Sequence, residues 1–332
     1  LCHTLRGLYD TYPADFPILV DPATGIDDLM DRMGRVTSER AALPELFAIY
    51  DEAVARLGPD HPVFGHPGPF GRSLVHALDR VGMSPSAIKR HLAIAHTVAE
   101  RDGYFPADAT VGVIHPPTDL DTRPVDTPGD YFFTASRLDA PKRIDLIIEA
   151  FGQTDLDTRL LIAGSGPERD RLNELAAKDP RVELVGFVAD DEMPALYAGA
   201  IAVPFIPDRE DYGLIALEAL ASGTPVITCH DSGGPTELIQ DGSTGRVVEA
   251  DVAALANALT MMGNDTQEAR RMGQAGRQSI SHITWENLAS KLVGPAAAAH
   301  LPTRITDLAP RTDRPLILVL NTFTAHNPKG GG

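Results

Sequence analysis

Glu210 and Glu218 stand with seven residues between them in the stretch Pro204-Phe-Ile-Pro-Asp-Arg-Glu-Asp-Tyr-Gly-Leu-Ile-Ala-Leu-Glu218. Residues 201–205 form an apolar run that reads as a buried strand, and 214–222 read as a helix closed by Gly223 and Pro225. Glu210 therefore sits in a loop and Glu218 inside a helix. Gly213 falls where that helix opens, so the backbone there can approach a ligand closely. The first-turn N–H groups, beginning at Leu214, favour an anion. Carboxylates repel phosphate but accept hydrogen bonds from hydroxyls. A molecule with hydroxyls at each end of a diphosphate, such as a sugar nucleotide, meets both demands. The competing reading makes Glu210 a solvated loop residue and Glu218 an exposed helix residue.

Four further loops carry residues of the same kind. In Ser136-Arg-Leu-Asp-Ala-Pro-Lys-Arg143, Arg137 and Lys142 bracket a turn just ahead of a helix, so two cations and a helix end can converge on one diphosphate. Gly164-Ser165-Gly166-Pro167 is half of a dinucleotide fingerprint, with Arg169 where the third glycine belongs. A tight structural turn explains it almost as well. Gly186-Phe187-Val188 can offer main-chain groups and an apolar surface to a base. His230-Asp-Ser-Gly-Gly-Pro-Thr-Glu237 places paired glycines before a short helix, where backbone amides can meet phosphate.

The elements that must position these loops alternate regularly. Strands are expected at 131–136, 159–163, 182–185, 201–205, 226–228 and 246–248. Helices are expected at 143–152, 167–178, 191–198, 214–222, 235–240, 251–262, 265–280 and 285–293. This alternation implies a parallel sheet covered on both faces, with ligands at the carboxyl ends of its strands. Every loop named above leaves such an end. The preceding residues are less regular, with helices over 27–57 broken near Pro44, a Pro- and Gly-rich loop at 61–71, a helix at 84–103 and a strand at 110–114. The expected division is 1–127 as a partial domain and 128–293 as the regular α/β domain. A linker follows at 294–314, and 315–332 reads as an opening strand with a glycine-rich loop.

Composition narrows the partners. The 332 residues are 43% apolar and 23% charged, with a net charge of -17, which opposes a nucleic-acid partner. Two cysteines, Cys2 and Cys229, sit in no metal-ligand or disulfide spacing. No apolar run approaches the roughly 20 residues that span a bilayer, so a cytoplasmic protein is expected.

The order of the loops is more telling than any one of them. Over residues 131–293 they resemble the donor-binding domain of the glycosyltransferase family 4 enzymes. The matching features are the Arg137–Lys142 turn, Gly164-Ser-Gly166, the Glu210 and Glu218 pair, Gly223-Thr-Pro-Val-Ile227, and Gly233-Gly-Pro-Thr-Glu237. The resemblance implies an α/β, GT-B-type fold with a complete Rossmann-like donor domain and a partial acceptor domain.

It also implies a retaining hexosyltransferase that uses a nucleoside-diphosphate sugar as co-substrate, with no metal and no other cofactor. Arg137, Lys142 and the backbone of Gly213 and Leu214 would hold the diphosphate, and Glu218 the ribose. Glu210, with Asp211 and Tyr212, would lie at the donor sugar, and Gly164, Gly166, Phe187 and Val188 on the base side.

Nearer the start, His3-Thr-Leu-Arg-Gly-Leu-Tyr-Asp10 is similar to an acceptor-domain segment that carries a His-Thr-Pro-Leu-Arg pattern, without its proline. It gives His3 as a second catalytic candidate beside Glu210. His96 stands where the family often has Asn-Ser. The acceptor would be a glycan or lipid-linked sugar in envelope or exopolysaccharide synthesis, with peripheral contact at the inner face of a membrane left open. Because 315–332 resembles the opening missing from the N-terminal side, a piece of a longer polypeptide with two such units in tandem is expected ahead of a circular permutation, in which one strand would have to replace several. Two rivals stand beside this reading: a nicotinamide-binding Rossmann oxidoreductase, and a nucleotide-sugar-binding module without catalysis.

Overall fold

The computed structural model describes residues 22–293 apart from 38–39, 65–67, 85–87, 89, 123 and 125–128. His3, the expected linker at 294–314 and the expected strand and loop at 315–332 lie outside the described residues. Two compact units are present. The first has helices α1 (Asp27–Arg35), α2 (Leu43–Leu57) and α3 (Pro69–Gly82) around a core of its own. Ile26, Leu29, Leu46, Ile49 and Phe70 are completely buried there, and Phe64 packs edge-on to Phe70 at 5.2 Å between ring centres. The chain breaks between α1 and α2 just ahead of Pro44, as its sequence implies.

Two expectations for this region need correction. Residues 69–71, read as loop, open α3: Pro69 stands at the first helical position, where a missing N–H costs nothing. The helix expected over 84–103 is not continuous. Residues His91–Ala93 form strand β1, and helix α4 is confined to His96–Ala99. Strand β2 (Val111–Val113) pairs with β1, and Ile114 N–H continues the bonding to Ala93 O at 2.9 Å. Ladder bonds outweighed the helical spacing of Ile88, Leu92 and Val98.

The second unit takes in Ala93–Val98 and everything described from Val113 onward, reaching back past the start expected at 128. Strands β3 (Tyr131–Ala135), β4 (Arg159–Ala163) and β5 (Val182–Gly186) are parallel neighbours in that order. Between them lie α5 (Ile144–Gly152) and α6 (Arg169–Ala176). Helix α7 (Met193–Gly199) leads to β6 (Val203–Pro204), which is parallel to β7 (Val226–Cys229), itself parallel to β8 (Gly245–Val248). Helices α8 (Leu214–Ala221) and α9 (Pro235–Leu238) fill the crossovers, and α10 (Val252–Asn264), α11 (Thr266–Ser279) and α12 (Trp285–Val293) complete the unit.

Backbone bonds from Ile201 N–H to Tyr131 O at 2.8 Å and from Phe133 N–H to Ala202 O at 3.2 Å join the two three-stranded sheets. The combined order is therefore β5-β4-β3-β6-β7-β8. Alternate strand residues go to opposite faces. Phe132, Leu160 and Ile162 belong to one core with α5, α10 and α11, and Phe133, Leu161 and Ala163 to another with α7 and α8.

One glycine fixes the approach of two of these turns. Gly164 has φ 133°, and a Cβ there would lie 1.8 Å from Ser136 O, at the end of β3. The Gly164→Ala variant is expected to lose more than about 2 kcal/mol, because backbone rather than a flexible side chain must yield. Urea unfolding checks this; a midpoint unchanged from that of the natural chain would show that the turn has room to move.

Candidate functional site

In the order β5-β4-β3-β6-β7-β8 the direction of winding reverses between β3 and β6. Loops leaving neighbouring strands in opposite directions at such a point leave a crevice at their carboxyl ends. Here the loop after β3 and the loop after β6 are tied across it. Asp208 N–H donates to Pro141 O at 2.7 Å. Arg143 takes a left-handed conformation, φ 52°, at the end of the 3-10 turn Ala140–Lys142. Its guanidinium donates to Ile206 O and Pro207 O, both at 2.6 Å, and reaches both Asp231 oxygens at 2.8 Å. Arg143 thus staples the β3, β6 and β7 loops together, a role its sequence position did not announce.

Lys142, the neighbour of that staple, forms an ion pair with Glu210. Both side chains are largely buried, at 14% and 9% exposure, and the Lys142 ammonium lies 5.7 Å from the centre of the Phe205 ring. Glu210 is fixed from both sides along its backbone: its N–H donates to Ser232 O at 2.9 Å, and its O accepts from Gly234 N–H at 2.8 Å. The paired glycines make that approach possible, since Cβ atoms at Gly233 and Gly234 would come within 2.5 Å of Glu210 O and the Tyr212 Cα. Gly213 opens α8 at φ 84°, packed so closely on Pro235 that a Cβ would meet its ring at 2.6 Å. Leu214, the first helical residue, is 45% exposed.

The remaining expected residues are placed as follows. Arg137 is mostly exposed and pairs with Asp139 at 2.8 Å. Asp211 and Tyr212 continue the Glu210 loop into Gly213; Tyr212 is buried, and its hydroxyl donates to Pro116 O at 2.9 Å. Glu218 lies on α8, where Tyr197 Oη donates to its Oε2 at 3.1 Å and Thr118 Oγ1 to its Oε1 at 3.3 Å. Burial pushes the Glu218 carboxyl up to about 7, against the two hydroxyls, which favour the charged form. Gly166, like Gly164, has a packing reason for its identity, because a Cβ there would fall 2.4 Å from Leu138 O. Phe187, just beyond β5, is 66% exposed, and Val188 packs partly against the second-face core.

Glu237 emerges as a site residue that sequence reasoning passed over. Its Oε2 accepts from His96 N–H at 2.7 Å, and its Oε1 from Thr97 N–H at 2.6 Å and Thr97 Oγ1 at 2.8 Å. His115 Nε2 stands 3.3 Å from Oε2. The His115 ring in turn stacks on Tyr212, with centres 5.6 Å apart and planes 12° from parallel. Burial would raise the Glu237 carboxyl, but the bonds from His115, Thr97 and His96 outweigh it and hold the group down at about 2. The glycine pair ahead of Glu237 was visible in the sequence; that the carboxylate grips residues more than a hundred positions earlier was not.

A doubly wound parallel sheet, with a buried Lys–Glu pair at its reversal point and a glycine-opened helix beside it, is an architecture of the GT-B type. Residues 120–279 match the family described as "Glycosyl transferases group 1". The chain is 32% identical over 145 residues to the N-acetyl-alpha-D-glucosaminyl L-malate synthase of Bacillus anthracis, covering 42% of this chain and 37% of that protein. It is 31% identical over 175 residues to the GDP-mannose-dependent alpha-(1-6)-phosphatidylinositol dimannoside mannosyltransferase of Mycobacterium tuberculosis, covering 52% and 45%. The chain thus spans less than half the length of these curated relatives. Among solved structures, the sucrose-phosphate synthase of Thermosynechococcus elongatus superposes with a TM-score of 0.58 at 25% identity, over 66% of this chain and 59% of that one. The Anabaena HepE structure in complex with UDP and glucose gives 0.57 at 18%, over 68% and 67%.

The Glu237 clasp has a pH signature. Its folded pKa of about 2 lies below the ordinary 4.5, so its stabilisation is complete above about 4.5 and disappears as pH falls through about 2. Glu237→Ala is expected to cost about 1.5–3 kcal/mol at pH 7, the range for hydrogen bonds to a charged group. Urea midpoints of the two proteins should converge as the pH is lowered below 4; a gap of constant size would contradict a charged clasp.

Proposed function

We propose that this chain carries the donor site of a retaining, metal-independent glycosyltransferase, which moves a hexose from a nucleoside-diphosphate sugar to a sugar-containing acceptor. The observation that carries this reading is the Lys142–Glu210 pair at the sheet's reversal point, beside the Gly213 helix start. A cation, first-turn amides and a carboxylate meet there, as a diphosphate joined to a sugar requires. Lys142, with Arg137, takes the diphosphate, and the Gly213 and Leu214 amides share its charge. As the glycosidic oxygen departs with that diphosphate, these fixed donors stabilise the growing negative charge without having to reorient. Glu210, with Asp211 and Tyr212, faces the hexose, Glu218 accepts the ribose hydroxyls, and Phe187, Val188 and the Gly164–Gly166 turn border the base.

The family match and the curated relatives, two of which are named for transfer to or synthesis of glycoconjugates, support transfer rather than hydride chemistry. So does the position of the Gly164 turn. It follows β4, whereas a dinucleotide fingerprint belongs to the turn after the sheet's central first strand, here β3. The proposed acceptor is a glycan or lipid-linked sugar, a reading supported by the relative named for phosphatidylinositol dimannoside, and the proposed setting is envelope or exopolysaccharide synthesis. Peripheral attachment at the inner face of a membrane suits a lipid-linked acceptor, and among the described residues no helix is long and apolar enough to cross a bilayer.

A thermal-shift panel of uridine, guanosine and adenosine diphosphate sugars is expected to give one clear stabilisation, since bound ligand raises the midpoint with the logarithm of its concentration over Kd. The double variant Arg137→Ala with Lys142→Gln should weaken that ligand at least about 100-fold, the scale of two charge-assisted hydrogen bonds. An undiminished calorimetric signal from the double variant would refute the diphosphate assignment. Affinity should also rise as pH increases through about 7, where Glu218 loses its proton and becomes the better acceptor. Glu218→Gln should bind more weakly and lose that pH dependence.

A further inference from the structure

The Glu218 carboxylate is held by two hydroxyls that come from distant parts of the chain. Tyr197 on α7 is completely buried; its ring meets Phe133 edge-on at 5.3 Å and its carbonyl accepts from Thr224 Oγ1 at 2.7 Å. These contacts leave its hydroxyl little freedom, and it donates to Glu218 Oε2. Thr118 is oriented in a different way. Its Oγ1 already accepts from Leu120 N–H at 3.1 Å, which directs its own proton toward Glu218 Oε1. A carboxylate has about four acceptor positions, two on each oxygen. Among the described residues, Tyr197 and Thr118 take one on each.

We propose that Tyr197 and Thr118 are positioning residues that turn the Glu218 carboxylate into a bidentate acceptor for a vicinal diol, so that the site discriminates ribonucleotide from 2′-deoxyribonucleotide donors. One acceptor position remains on each oxygen, and adjacent hydroxyls of a ribose donate one bond to each. A single hydroxyl satisfies half of the arrangement. Were the carboxylate allowed to rotate, it could meet a lone 3′-hydroxyl equally well and the preference would shrink. This inference rests on the assignment of Glu218 to the ribose.

The test is a calorimetric comparison of UDP with 2′-deoxy-UDP, and of GDP with 2′-deoxy-GDP, on the whole chain and on Tyr197→Phe, Thr118→Val and Glu218→Gln. Tyr197→Phe removes one oxygen and keeps the ring packed on Phe133. The natural chain is expected to prefer the ribonucleotide about ten-fold or more, the usual scale for a hydrogen bond that a polar site is built to receive. Tyr197→Phe and Thr118→Val should each reduce that ratio about three-fold or more, while the affinity for the deoxynucleotide changes little. A purely structural role would weaken both nucleotides equally and leave the ratio untouched, and that result overturns the proposal. If Glu218→Gln abolishes the preference while both hydroxyl variants keep it, the positioning role falls and the ribose assignment stands. If the natural chain shows no preference, both fall. Should Tyr197→Phe fail to fold, the ratio measured with Thr118→Val, whose side chain lies outside the cores, decides alone.

Discussion

Two backbone hydrogen bonds, from Ile201 to Tyr131 and between Phe133 and Ala202, turn a pair of three-stranded sheets into one six-stranded array whose winding reverses at its middle. The candidate site depends on that seam. Without it, the turns after β3 and β6 would belong to separate edges, and only the Arg143 contacts and the Asp208 to Pro141 bond would hold Lys142 near Glu210. The seam is itself short of regular strand: β6 covers two residues, so much of its security comes from the apolar cores on either face, with Ala202 and Val203 fully buried. Burial of this kind supplies the larger part of a sheet's stability, while the bonds choose the register.

The electrostatics at the seam run against the chain as a whole. A protein with 46 acidic and 29 basic residues repels anions at long range, so an anion must be bound by local geometry and not by general attraction. Arg143 is committed to carbonyls and to Asp231, and acts as a scaffold. Lys142 is neutralised by Glu210 in a largely dry setting. Each member of such a pair would be costly to bury alone, which fixes both side chains in place and excludes stray counterions. A diphosphate arriving here would share a cation that already has a partner, so the amides at the opening of α8 carry a real part of the load.

Much of the architecture was readable in the sequence because the chain from 131 to 293 obeys simple periodicities. Runs such as Tyr-Phe-Phe-Thr-Ala and Arg-Leu-Leu-Ile-Ala become strands buried on both faces. The glycines announced the tight turns, and the structure shows why at Gly164, Gly213 and Gly233, where positive φ combines with crowding by backbone or, at Gly213, by the Pro235 ring to leave no room for a Cβ. What could not be read was long-range. His91–Ala93 satisfies a helical pattern locally and becomes a strand because Val111–Val113 offers it a ladder. Arg143 looked like the start of a helix, and Glu237 like the tail of a glycine motif. Their partners include backbone carbonyls and amides, which carry no mark in the sequence.

The grip of Glu237 on His96, Thr97 and His115 has a consequence for how this polypeptide can be dissected. Severing the chain near residue 128, where the regular alternation begins, would strip that carboxylate of all its donors and remove the imidazole that covers Tyr212. Thr118 would go with them, and Glu218 would lose one of its two hydroxyls. The shortest excised domain that keeps its own charges satisfied therefore has to carry residues from 93 onward as an N-terminal arm, and a protease that nicks that arm would loosen the surroundings of Glu218 and Glu237 without touching the sheet.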